Sequence, residues 1–88
     1  MHAADLLDPA PLIAQLRERA GEAAAKLAFF EQTLRRLRGD LDEEEFLRAG
    51  ERVGPYLSCL AGCRLEREMR DWCRQTARTL EDRAGRRV

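Results

Sequence analysis

A heptad-spaced apolar stripe constrains this chain more than any other feature. Within Leu12 to Leu41, the residues Leu16, Ala20, Ala23, Leu27, Phe30, Leu34, Leu37 and Leu41 follow one another at alternating intervals of four and three. A repeat averaging about 3.5 residues keeps one stripe turned toward a neighbouring helix, as in the seam of a coiled coil. Charged residues such as Arg17, Glu18, Glu22, Lys26, Glu31 and Arg36 fill the positions between and suit a solvated face. Between Leu12 and Arg38, Gly21 is the only Gly or Pro. One helix of roughly 30 residues would be about 45 Å long. It cannot bury such a stripe alone, so something must lie along it.

Punctuation in the sequence divides the chain into three helices. Asp8 and Pro9 mark a start, because Asp accepts from the free N–H groups of a first turn and Pro tolerates the first helical position. Gly39, after the basic turn Arg35, Arg36 and Arg38, marks the stop, which predicts a helix over 9–38. Residues 1–7 read as a short helical lead-in or a frayed end, with Leu6 and Leu7 as candidate anchors. Asp40 or Asp42 can cap a second, short helix over 42–53, whose Glu43, Glu44 and Glu45 sit at its positive end. Gly50, Gly54 and Pro55 then read as a break or kink. The last helix is expected over 55–83, before Gly85. Its apolar positions are Leu57, Ala61, Leu65, Met69, Trp72, Thr76 and Leu80, widened by Tyr56, Cys59, Leu60, Cys63 and Cys73. A stripe that wide buries against more than one neighbour.

The expected fold is all-α and a single domain over 1–88. Two long amphipathic helices form an antiparallel hairpin, joined by a short connecting helix, and dimerise through coiled-coil or four-helix-type packing. β-branched residues are too few for a substantial sheet. A chain of 88 residues buries only about 60–65% of its unfolded surface. That favours a homodimer, with Leu16, Leu27, Phe30, Leu34, Leu37, Leu65, Met69, Trp72 and Leu80 as interface and core.

The residues present argue against chemistry. Sixteen basic and sixteen acidic side chains balance, where a free-standing nucleic-acid binder would show a basic excess. The clusters Arg35, Arg36, Arg38 and Arg83, Arg86, Arg87 suit helix C-termini. Cys59 and Cys63 lie one turn apart, but Cys73 is ten residues further on and His2 is far away. A closed zinc site needs four ligands, so no metal site is expected, and the cysteines read as small buried hydrophobes. No nucleophile with a base and no phosphate loop is visible, so neither an enzyme nor a cofactor is expected. Absent a leader-like N-terminus or a spanning apolar run, a cytoplasmic location and reduced thiols are expected. Trp72, with Met69 and Phe30, is the candidate wall of a flat apolar pocket for an aromatic small-molecule effector.

The stretch LLDPAPLIAQLRERAGEAAAKLAFFEQTLRRL, Leu6 to Leu37, and LAGCRLEREMRDWCRQTARTLEDR, Leu60 to Arg83, together resemble the C-terminal helical domain of PadR-like transcriptional regulators. This is also called the virulence-activator alpha C-terminal domain. Gly62, Glu66 or Glu68, and Trp72 match in outline the glycine, acid and tryptophan of that family's final helix. The resemblance implies a dimerising module. It also implies that a small-molecule effector can bind near the interface. Members carry an N-terminal winged helix-turn-helix, but no recognition helix is found among these residues, so direct nucleic-acid binding is not expected. The chain then reads as a dimerisation domain apart from its DNA-binding half, or as a partner in trans of a full-length PadR-like regulator. The alternative is a small helical chaperone or adaptor that binds a partner protein through its apolar helix faces.

Overall fold

A computed structural model describes residues 8–86. It holds three helices and, among the described residues, no strand: α1 over Ala10–Arg38, α2 over Glu43–Ala49 and α3 over Val53–Arg86. The anchors expected at Leu6 and Leu7 lie outside the described residues.

Local chemistry explains each boundary. Asp8 Oδ1 accepts from the Ala10 amide at 3.0 Å, and Pro9 and Pro11 occupy positions whose N–H groups would be unsatisfied anyway. At the other end of α1, Gly39 takes φ 61° and its N–H donates to the Arg35 carbonyl, a left-handed stop that suits glycine. Asp42, not Asp40, caps α2 in a reciprocal box. Its carboxylate accepts from the Glu45 amide at 2.8 Å, while Glu45 Oε1 accepts from the Asp42 amide at 3.3 Å.

The expected break is narrower than the two glycines implied. Gly50 ends α2, and Arg52, at φ 60°, turns the chain into α3. Gly54 and Pro55 lie inside the first turn of α3, where a proline sacrifices no helical hydrogen bond. The second helix is therefore shorter than 42–53. The third begins two residues earlier than 55 and runs on past Gly85. At Gly50 the requirement is space: a Cβ there would lie 2.6 Å from the Phe46 ring and 2.7 Å from its carbonyl oxygen.

α1 packs along α3 in an antiparallel hairpin. Arg17 near the start of α1 pairs with Glu81 near the end of α3 at 2.6 Å, and Glu31 with Arg67 at 3.2 Å. The resulting rod measures 58 × 21 × 17 Å with a radius of gyration of 18.7 Å. A compact domain of this length would have a radius near 12 Å.

The seam read from α1 is the one that packs. Ala20, Ala23, Leu27 and Leu34 are buried, Leu16, Phe30 and Leu37 are half-buried, and Leu41 lies beyond the helix and is exposed. On α3 the packing face differs from the expected stripe. Tyr56, Cys63, Cys73 and Ala77 are buried, and Cys59, Leu60 and Leu80 are half-buried. Leu57, Leu65, Met69 and Trp72 are exposed. The residues first read as widening the stripe are thus its inner face. Met69 and Trp72 face outward where, from Cys63 to Ala77, the inner face meets α1 through small side chains.

Leu27→Ala is expected to cost about 2–5 kcal/mol by urea denaturation, because the site is buried and closely packed. Gly21→Ala should do the opposite. Gly21 is exposed in mid-helix with nothing within 4 Å of an added Cβ. The substitution should raise stability by about 0.5–1 kcal/mol.

Candidate functional site

Two places in the hairpin gather functional-looking side chains: the outer face of α3 and the elbow where all three helices meet.

The outer face follows from helical geometry. Nine residues separate Cys63 from Trp72, and at about 100° per residue that is half a turn round the helix. Trp72 therefore points away from α1, as do Leu57, Ala61 and Leu65 on the same row. Leu65 is 71% exposed, Trp72 54% and Met69 36%. Leu65, Glu68, Met69 and Trp72 line a shallow concavity of about 320 Å³. Its walls are almost entirely apolar, with one carboxylate at the rim.

Met69 sits where the outer row meets the inner one. Its sulfur lies 3.8 Å from the buried Cys73 Sγ, within range of a weak S–H donor. Phe30, expected to share a pocket with Trp72 and Met69, is elsewhere. Its ring lies over Gly62, about 2.9 Å from where a Cβ would stand, inside the α1–α3 seam. Leu16, Leu27, Leu34, Leu37 and Leu80 likewise lie on the hairpin seam or its edges. The expected interface residues thus separate into an inner set and the outer trio Leu65, Met69 and Trp72.

The elbow was not legible as a site in the sequence. Tyr56 is fully buried, and its ring lies 4.7 Å from that of Phe46. The Tyr56 hydroxyl donates to Glu43 Oε1 at 2.6 Å and accepts from Arg38 Nη1 at 3.2 Å. One phenol therefore ties the end of α1, the start of α2 and the first turn of α3. Leu27, Leu34, Phe46, Tyr56 and Cys63 form one continuous buried cluster beneath it. The only sequence signal was a tyrosine one turn past the break, close to Glu43 and Arg38 only after folding.

Burial, then the hydrogen bond and charge of Glu43, push the Tyr56 phenol above its ordinary value, and Arg38 opposes this more weakly. Burial also pushes the Cys63 thiol up, with the Glu31 carboxylate adding to it. A thiol so placed stays protonated near neutrality and is a poor nucleophile or metal ligand. All three cysteines are free, and no group of three or more His, Cys, Asp or Glu among the described residues could hold a metal ion. One buried oxygen, Glu66 Oε1, has no hydrogen-bond partner among the described residues.

A family model described as "Virulence activator alpha C-term" matches residues 1–81. The chain belongs to that family. No curated protein and no solved structure matches it. Membership makes this a helical domain associated with transcription regulators, and the match spans α1, α2 and most of α3. Among the described residues no helix of this family member is long and apolar enough to cross a membrane.

Tyr56→Phe tests the elbow. Losing the hydroxyl should cost about 1–2 kcal/mol at neutral pH. A phenol raised on folding holds its proton after the unfolded chain has released one. Its stabilisation is therefore complete below about pH 10 and is lost as the pH rises through the folded-state value. Urea midpoints measured between neutrality and about pH 11 should fall less steeply for the variant. Cys63 titrates in both proteins and leaves a residual slope.

Proposed function

We propose that this chain is the dimerisation module of a PadR-like transcriptional regulator, and that the outer face of α3 is the surface on which a second copy docks. One observation carries the reading: a row of large apolar side chains, Leu57, Leu65, Met69 and Trp72, stands exposed on the side of α3 turned away from α1. Scattered exposed leucines are ordinary, but an apolar row that ends in a tryptophan is the composition of a docking surface.

Size supports the same conclusion. The chain exposes 6566 Å², where a compact monomer of its mass would expose about 5,300 Å². The excess is larger than the roughly 800 Å² that one partner contributes to a stable interface. Leu57 to Thr76 spans about 29 Å of helix, enough for a long helix–helix contact. A two-fold axis across the middle of that row would set the Trp72 ring over the partner's Ala61, large against small. It would also bring Glu68 near the partner's Arg64, opposite in charge.

The second part of the reading is effector sensing. The apolar concavity beside Trp72 has the chemistry to hold a flat aromatic molecule, with Glu68 at its rim. Docking of a second copy would deepen it. A ligand there acts on the dimer through the helix that builds both the concavity and the contact face.

A second reading is kept for one observation. Phe29 is well exposed on the back of α1, where docking on α3 does not reach it. An adaptor holding an unrelated partner protein would use such a residue.

Sedimentation equilibrium is the test. The wild-type chain should be a dimer at micromolar concentration. Ala61→Arg should be monomeric with unchanged helix content, since Ala61 is exposed and faces away from the hairpin. Its unfolding free energy per monomer should stay within about 0.5 kcal/mol of wild type. Trp72→Ala should weaken association at least tenfold, about 1.4 kcal/mol. A wild-type chain that remains monomeric and fully helical well above that concentration refutes the reading.

A further inference from the structure

We infer that Met69 is an oxidation-sensitive position: conversion of its thioether to the sulfoxide by a peroxide turns the outer face of α3 from a docking surface into a polar one and releases the second copy. The inference rests on the docking role proposed for that face. It arises from where the sulfur atoms sit. The thiols of Cys63 and Cys73 are buried to the last few per cent and Cys59 is half-buried. Met69 is exposed, in the middle of the apolar row, with Leu65 and Trp72 beside it in the same concavity. Among the described residues its sulfur has one hydrogen-bond partner, the weak Cys73 S–H at 3.8 Å.

The chemistry is a two-electron oxygen transfer. The sulfur lone pair attacks one peroxide oxygen, the O–O bond breaks, an S–O bond forms, and the other oxygen leaves as water. The product is a polar, chiral side chain in place of a flexible apolar one. On an exposed helix face that change is tolerated, because water solvates the new oxygen. In a closed interface the oxygen must give up that water among the apolar Leu65 and Trp72, while the partner's Arg64 is engaged by Glu68. A two-fold interface doubles the effect, because each copy brings its own Met69. The unassociated chain is the one that reacts, as docking covers the sulfur. Oxidation should therefore slow as protein concentration rises. A thiol-dependent sulfoxide reductase would reverse it, two thiols becoming a disulfide and the oxygen leaving as water.

The test uses the full 88-residue chain, hydrogen peroxide, peptide mass analysis and sedimentation. The expected result has three parts. The peptide holding residue 69 gains one oxygen, the wild-type dissociation constant rises at least tenfold, and Met69→Leu under the same treatment keeps its affinity. Met69→Gln, polar without any oxidant, should weaken association comparably while circular dichroism stays unchanged. Wild-type protein oxidised at residue 69 that still associates within twofold of its untreated affinity overturns the inference and leaves the docking role standing. Equal loss in Met69→Leu also overturns it, by assigning the effect to Met1 or the cysteines. A wild-type chain that is monomeric before any peroxide overturns both.

Discussion

Everything in this molecule depends on how closely α1 and α3 can approach. Toward the open end of the hairpin the contact is made by Ala20 and Ala23 on one helix and Cys73 and Ala77 on the other, all nearly inaccessible. Side chains this small let two helices lie close together along much of their length. Toward the elbow the residues grow: Leu27, Leu34 and Cys63, then Phe46 and Tyr56. The pair is narrow at one end and filled at the other by the short helix α2. Tyr56 closes the filled end by bonding at once to Arg38 and Glu43.

The same close contact makes α3 two-faced. A helix that meets its neighbour through cysteine and alanine has no room for tryptophan or methionine on that side. Leu65, Met69 and Trp72 therefore stand on the opposite side, where nothing in the hairpin covers them. Membership of the virulence-activator alpha C-terminal family associates the domain with transcription regulators. The physical reason to place a second copy on α3 is independent of that membership. It lies in the exposed row and in a rod-like shape that leaves ample surface for an interface. If a second copy docks as proposed, such a face would couple association to whatever changes its polarity or fills its concavity, whether an aromatic ligand or an oxygen added to sulfur.

Much of the fold was legible in the chain because the signals were local. The seam from Leu16 to Leu37, the glycine stop at Gly39 and the acidic start of the short helix each depend on residues within a turn of one another. Tyr56 was legible only as an apolar position on a helix. Its partners lie 13 and 18 residues away, and nothing in their spacing says that a phenol will bridge them. The aromatic character of Phe30 and Trp72 and their apolar stripes predict that the two share a pocket. In the folded chain Phe30 covers Gly62 on the inner side, and Trp72 points outward.

The sequence by itself determined that this protein is helical, that its helices are two long and one short, and which side of the first helix is buried. Periodicity, capping and turn residues act over a few residues, and the chain alone specifies them. The tertiary structure decided which of the two apolar sides of the last helix would be the inner one. Hydrophobicity pointed to the row of Leu57, Leu65, Met69 and Trp72. Packing chose the row of Tyr56, Cys63, Cys73 and Ala77: the small Cys73 and Ala77 fit against Ala20 and Ala23, Tyr56 fits the wider elbow beside Phe46, and those fits exist only when the helices meet.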